Sequence, residues 1–340
     1  MGKLLKFLIA LLLVAGGLVI AVLAGWNYLN SSPGIAEEQT VLYEVREGAT
    51  VSSIAQELEK GEIIRSSHFF ILLSKLYNTQ DKVKSGFYRI EPGTTSSEVH
   101  DMFVEGSQKL VRVTIPEGLT ARKTGARFEK SNICSQDDFL KAVHSAQIIE
   151  EYSVPSDTLE GYLFPDTYMF QQKYPAEKVV RHMVDTFFME LGEIEPDYED
   201  FSPAELQEKV VMASIIEREY RDPEEVGRIA SVFYNRLEMN MRLQSCATVV
   251  YALTEEKGRE HPSSLTYDDL EVESDFNTYR NWGLPPGPIS NPGKFALAGA
   301  MHPADTDFLY FLLKDPNAGK HVFSQTLKDH NTAYRLYIKK

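Results

Sequence analysis

From Phe7 to Trp26 the chain runs FLIALLLVAGGLVIAVLAGW, 20 residues without a charge. As a helix rising about 1.5 Å per residue, this stretch spans about 30 Å, the hydrocarbon thickness of a bilayer. No polar residue interrupts it to give a wet face, which argues against a buried helix of a soluble domain. Lys3 and Lys6 precede it, and the first charges beyond it are Glu37 and Glu38. The positive-inside rule therefore predicts a cytoplasmic N-terminus and everything after residue 30 outside the cytoplasm, with Trp26 and Tyr28 at the interface. A cleaved signal peptide, with Val22 and Ala24 as small residues before a cut, is the competing reading, but its apolar region is shorter.

The chain as a whole has ordinary globular composition: of 340 residues, 43% are apolar and 25% charged, enough for about two domains. The net charge of −14 argues against a nucleic-acid partner, whose phosphates call for clustered cations. Two cysteines, Cys134 and Cys246, are too few for a disulfide framework and are read as free thiols.

Asn30 to Gln39, NSSPGIAEEQ, reads as a linker. A unit then recurs three times, from Tyr43 to Ile64, Phe87 to Gly106 and Val111 to Ile133. Each has an alternating apolar strand, a turn glycine (Gly48, Gly93, Gly118), a threonine (Thr50, Thr94, Thr120) of helix-capping type, and a helical pattern. With a second apolar helix from Phe69 to Tyr77, the first strands and helices run strand, helix, helix, strand. This order resembles the LysM module, a small glycan-binding fold. Sugar binding and a purely structural spacer both remain open for it.

Farther on, Ser202, Pro203 and Glu205 form a helix start, S-P-A-E, that predicts a helix from Pro203 to about Tyr220. Asp222-Pro223-Glu224-Glu225 starts another, running to about Met239. Val210 to Ile216, VVMASII, carries no charge over nearly two turns and predicts a core helix. Glu217 falls on the stripe of Leu206, Val210 and Ala213, whereas Glu219 lies about 200° around the helix on the other face. Burial raises the pKa of a carboxyl group, and a raised glutamate is a proton donor at neutral pH, as cleavage of a glycosidic bond requires. A buried salt bridge to Arg236 or Arg242, or a helix end reaching solvent, explains the same pattern structurally.

Six segments then occur in order: LEGYLFPDTYMF (Leu159 to Phe170), ASIIEREY (Ala213 to Tyr220), ASVFYNRL (Ala230 to Leu237), MRLQSCATVVYAL (Met241 to Leu253), FNTYRNWGLPPGPISNPG (Phe276 to Gly293) and GKHVFSQTLKDHN (Gly319 to Asn331). The series resembles the MltG (YceG-like) family of membrane-anchored endolytic peptidoglycan transglycosylases, from the anchor to the C-terminus. The resemblance implies a cytoplasmic tip and anchor (1–30), a linker (31–40), a LysM-like domain (41–108) and a catalytic domain (109–340). It carries the catalytic glutamate of A-S-I-[IV]-E onto Glu217. One departure stands out: where many members have Gln-[ST]-Asp-Pro-Thr, this chain has Gln244-Ser245-Cys246-Ala247-Thr248. Phe276 also stands where a tyrosine is common.

The class implied cuts the β-1,4 bond between N-acetylmuramic acid and N-acetylglucosamine without water, leaving 1,6-anhydro ends in nascent strands. One carboxyl group serves as acid and then base. A hydrolase needs a second carboxylate, and the sequence positions none beside Glu217; Glu160, in a shared motif, serves equally to hold the turn before Pro165. Residues of the types that contact sugars are Glu160, Tyr234, Asn235, Gln244, Asn277, Tyr279, Asn291 and Trp282, with the Pro-rich run Gly283 to Pro288 as a rigid wall. No nucleotide-binding glycine motif is present. His302, His321 and His330 lack metal-ligand spacing, so no metal is expected, and the resemblance implies no cofactor. The expected architecture is α+β: a transmembrane helix, a LysM-like βααβ subdomain and a helix-rich α+β catalytic domain. The expected partners are peptidoglycan glycan strands, the cytoplasmic membrane and peptidoglycan synthases. A non-catalytic peptidoglycan-binding scaffold and a conventional muramidase are the rival readings.

Overall fold

The structure, a computed structural model, describes residues 2–33, 40–106 and 110–338. Residues 34–39 of the expected linker and the side chains of Lys3 and Lys6 lie outside the described residues. The chain divides into two compact units, Met1–Leu110 and Val111–Lys340.

The first unit opens with helix α1 (Gly2–Asn30). Its segment Leu11–Asn30 is long and apolar enough to cross a membrane and has no buried residue in its apolar window, which fits a single-pass anchor. There follow β1 (Val41–Val45), α2 (Val51–Lys60), α3 (Ser67–Leu76), β2 (Gly86–Ile90) and α4 (Ser96–Glu105). This is the expected strand–helix–helix–strand order with one helix added. β1 and β2 pair antiparallel, Tyr43 opposite Tyr88, and bury Ile54, Leu58, Phe70 and Phe103. Thr50 caps α2 as the pattern implied, but the cap of α4 is Thr95 rather than Thr94. Thr94 sits in the turn and donates to the Glu91 carbonyl. The end of α1 is joined to this unit: Trp26 meets Phe69 edge-on at 4.9 Å, Arg65 donates to Ser31 Oγ and the Ser32 carbonyl, and Asn30 Oδ1 accepts from the Ser97 amide.

The second unit is helix-rich α+β. In order it has β3 (Leu110–Thr114), α5 (Ala121–Lys130), α6 (Gln136–Val143), α7 (Ala146–Glu151), β4 (Thr167–Gln171), α8 (Ala176–Ile194), α9 (Pro203–Ile216), α10 (Val226–Glu238), α11 (Cys246–Tyr251), α12 (Tyr267–Leu270), α13 (Lys294–Met301), β5 (Tyr310–Asp315), β6 (Lys320–Ser324) and α14 (Leu327–Tyr337). β3 lies beside β4, and β5 pairs antiparallel with β6. Helices α8, α9, α10 and α13 pack around a core that includes Met183, Phe187, Met212, Ile216, Phe233 and Leu297.

Helix α9 starts as read, with Ser202 and Glu205 in a reciprocal capping box and Pro203 in the first turn. All seven residues from Val210 to Ile216 are buried, so the uncharged run does mark a core helix. The helix ends at Ile216, four residues before the expected Tyr220. The amides of Arg218 and Glu219 bond back three residues, to the Ile215 and Ile216 carbonyls, which tightens the last turn. Pro223 then disfavours helical geometry at Asp222, which caps the short 3₁₀ turn leading into α10.

A buried polar node fixes the loops around the end of α9. Asn291 Oδ1 accepts from the Gly161 and Leu163 amides at 2.8 and 3.1 Å, while its Nδ2 donates to the Leu119 carbonyl and to Glu160 Oε1. Its backbone adds bonds to Leu119 and Gly118. Both oxygens of Glu160 accept from the Ala121 amide at the start of α5. Just upstream, Ser214 Oγ accepts from the Ile289 amide and the Ser214 carbonyl from Ser290 Oγ, which ties this crossing strand of chain to α9. Gly161 permits the close approach: its φ is +91°, and a Cβ there would come within 2.5 Å of Pro288.

Asn291→Ala strands two buried amides and part of the Glu160 carboxyl. Stability should fall by about 3 kcal/mol, read as a drop of roughly 6 to 12 °C in the thermal midpoint by circular dichroism. An unchanged midpoint would show that the node is not what holds these loops.

Candidate active site

Glu217 occupies the turn where α9 stops. Its amide still bonds to the Ala213 carbonyl, so the helical phase read from the sequence carries through to this residue. The side chain is half-buried, and its Oε2 accepts from the Gly293 amide at 3.0 Å. Gly293 is the N-cap of α13, and the node at Asn291 sets its position. Burial pushes the Glu217 carboxyl up to about 8. The Gly293 amide opposes that rise, the Glu117 carboxylate adds to it, and the Arg218 guanidinium opposes it. The group is thus a neutral acid over much of the physiological range.

Glu117 is the residue that the sequence reading missed. It lies in the β3–α5 loop, and its Oε2 accepts from the Tyr220 hydroxyl at 3.3 Å. A Cβ added at Gly293 would overlap the Glu117 carboxylate, so Glu117 lies directly on the residue whose amide holds Glu217. The loop is fixed on its other side by Arg218, which donates to the Gly118 carbonyl at 3.0 Å. Burial together with the charges of Glu217 and Glu117 raises the Tyr220 hydroxyl, which stays protonated as a donor. Glu117 did carry a sequence signal, since P-E-G-L-T repeats the turn of the earlier R-E-G-A-T, but a turn accounted for it fully.

Glu219 takes another partner: its Oε1 accepts from Ser245 Oγ at 2.6 Å, and burial raises its carboxyl too. Ser245 caps α11, its Oγ accepting from the Ala247 amide, and its own amide donates to Thr278 Oγ1, while Cys246 Sγ lies 3.2 Å from the Tyr279 hydroxyl. The Gln244–Thr248 motif and the Asn277–Tyr279 motif therefore meet at Glu219, whereas Glu217 is held by the 291–293 segment. Both glutamates nonetheless border one cleft of about 470 Å³, lined also by Arg218, Tyr220, Arg221, Phe311, Leu312, Leu313 and His321. The early end of α9 explains this, because residues past Glu217 no longer follow the helical spacing that set Glu219 on the opposite face. Arg236 and Arg242, the salt-bridge candidates, are engaged elsewhere: Arg236 with the Leu243 and Leu309 carbonyls, and Arg242 over the Trp282 ring.

The other sequence candidates fall into two groups. Glu160, Asn277 and Asn291 are buried with their polar atoms bonded inside the fold; Asn277 Nδ2 donates to the Leu270 and Val272 carbonyls. A glycan reaches none of the three without unpacking the protein. Half-buried Tyr234 donates to the Ala300 carbonyl, and Asn235 to the carbonyls of Thr306 and Phe308. Gln244 keeps an exposed side chain, Tyr279 is half-buried, and Trp282 is 63% exposed. His321 is buried against Glu225, with its Nδ1 2.9 Å from Glu225 Oε2, and Phe276 packs on Tyr251. A larger cavity of about 1120 Å³, near Cys134 and Tyr174, shares no lining residue with the cleft at Glu217.

The YceG-like family profile matches residues 43–336. The chain is 34% identical over 319 residues to the endolytic murein transglycosylase of Bacillus subtilis (strain 168), an alignment covering 88% of this chain and 85% of that protein. It is 29% identical over 321 residues to the endolytic murein transglycosylase of Streptococcus pneumoniae serotype 2 (strain D39), covering 84% of this chain and 56% of that longer protein. The crystal structure of a YceG-like protein of Listeria monocytogenes superposes with a TM-score of 0.58 at 33% identity, covering 86% of this chain and 99% of that one. With the family profile spanning both structural units, the chain belongs to the YceG-like family.

Proposed function

We propose that this protein is an endolytic murein transglycosylase that cleaves the β-1,4 bond between N-acetylmuramic acid and N-acetylglucosamine in nascent glycan strands, leaving 1,6-anhydro ends. The observation that carries the reading is Glu217: a carboxyl group raised to about 8 by burial, on the edge of a cleft of disaccharide size. The names of the relatives support the reaction class. Helix α1 would hold the catalytic unit at the outer face of the cytoplasmic membrane, with the N-terminus inside, where nascent strands emerge. Peptidoglycan synthases are the partners such a placement favours.

In this mechanism Glu217 gives its proton to the bridging oxygen as the C1–O bond breaks. The substrate's acetamido oxygen stabilises the positive charge on C1. The Glu217 carboxylate, now accepting from the Gly293 amide, removes the proton of the C6 hydroxyl, whose oxygen closes on C1. Glu217 ends protonated, ready for another turn. Gln244, Tyr279 and Trp282 are the exposed or half-buried side chains proposed to contact sugar, Trp282 through its ring face.

Digestion of peptidoglycan by the full chain should release anhydro-ended fragments, identified by mass. Glu217→Gln should lower the rate about a thousandfold. Absence of fragments from either protein would favour the scaffold reading raised by Cys246, and reducing ends would favour a muramidase. Because the acid must carry its proton, kcat/KM should fall as pH rises through about 8; a basic limb that persists in Glu217→Gln would remove Glu217 from that role.

A stability test is independent of substrate. Between the ordinary carboxyl range and about pH 8, folded Glu217 holds a proton that the unfolded chain has released, so the protein loses stability as pH rises across that window. Glu217→Gln lacks this slope. Relative to the parent it should gain about 1 to 2 kcal/mol between pH 5 and pH 8.5, a figure reduced for the solvent still in reach. Urea unfolding at the two pH values measures it, and parallel pH dependences would contradict a buried acid at position 217.

A further inference from the structure

We propose that Glu117 is a second functional carboxylate of this site: seated on Gly293 and held by Tyr220, it faces Glu217 with a negative charge and acts as the positioning residue that keeps the proton there. The inference rests on the proposed acid role of Glu217 and extends it.

Three features of the geometry converge. Glu117 occupies the volume that a side chain at position 293 would need. The backbone at Gly293 has φ −87° and ψ −178°, extended geometry open to any residue. What excludes a side chain there is therefore the Glu117 carboxylate and not backbone strain. The Gly293 amide is also the donor to Glu217 Oε2, so a single residue separates the two carboxyl groups. Finally, the Tyr220 hydroxyl fixes Glu117 Oε2, and Tyr220 lies three residues past Glu217 on the same turn. The pair is thus braced from both chain segments.

Charge decides what such a pair does. Two carboxyl groups close together resist ionising together, which favours the proton on the more buried one, Glu217. Glu117 is exposed, and Glu217 is half-buried behind it. The other charged and titratable groups around them are Arg218 and Tyr220 on the same turn, Glu219 held by Ser245, and Arg221 and His321 across the cleft. Arg218 opposes the effect of Glu117, so removing Glu117 leaves the guanidinium charge unopposed and lowers Glu217, while burial still holds it above the ordinary carboxyl range.

The full chain in nanodiscs tests this by two readouts on Glu117→Gln and Gly293→Ala, the second of which displaces the Glu117 side chain while preserving both carboxyl groups and the 293 amide. In pH–rate profiles on peptidoglycan, both variants should move the basic limb to lower pH by about half a unit or more, the solvent around Glu117 limiting the size. Glu117→Asp, which keeps the charge, should restore part of the shift. In parallel, the Glu217 carboxyl band, isolated by infrared difference against Glu217→Gln, should titrate lower by a similar amount in both variants. A Glu217 band that titrates high and is unmoved in both variants overturns the role of Glu117 while leaving the acid reading intact. Full cleavage by Glu217→Gln overturns the acid reading itself, and the infrared shift still decides whether the two carboxyl groups are coupled.

Discussion

The hydrogen-bonded pair of Asn291 and Glu160 is the constraint from which the rest of the site follows. One amide side chain bridges the turn at Gly161–Leu163, the loop at Gly118–Leu119 and the segment leading to Gly293. Asn291 lies 128 to 172 residues along the chain from the partners its side chain bridges. Glu160 anchors the node to the first turn of α5, where aligned amides favour a carboxyl oxygen. Its own burial raises it to about 8, so part of its population is neutral and the desolvation cost of a full charge is limited. The node works with the Ser214 bonds to Ile289 and Ser290 and the Arg218 bond to Gly118, which tie the same segments to the end of α9.

This explains why some motif residues lie away from the cleft. Asn277 and Asn291 are of the types that bind sugars, yet both spend their donors and acceptors on backbone groups of irregular loops. Loops have no ladder of their own, so a buried loop must be satisfied by side chains. The amides that look most like substrate ligands in the sequence are the groups best able to do that. Residue type alone does not separate the two uses; burial does.

The sequence disclosed what depends on local pattern. The capping box at Ser202, the uncharged run from Val210, the phase of Glu217 and the strand–helix–helix–strand order of the first unit are all periodic or near-neighbour features, and all are present. It hid what depends on contacts between distant segments. Glu117 read as a turn residue because its repeat already explained it. The stop of α9 at Ile216 was obscured because Arg218, Glu219 and Tyr220 are each acceptable in a helix; the break comes from the tightened turn and Pro223 beyond it. Cys246 looked like a defect at the glutamate proposed as the acid, Glu217, but the fold brings it to Tyr279 beside Glu219.

The position of Glu217 between two helix ends fits the proposed use of a single group as acid and then as base. It lies at the C-terminus of α9, where unpaired carbonyls carry partial negative charge and disfavour a carboxylate. Its Oε2 meets the N-cap amide of α13, at the positive end of that helix. The first environment, with burial and Glu117, keeps the proton on; the second receives the charge once the proton has left. Neither depends on a group that must move, because both helices belong to the packed core. A carboxyl group free in solvent would lack the first influence, and one buried without the amide would lack the second. The opposition of the two is what keeps the proton affinity near neutrality, where donation and recovery are both accessible.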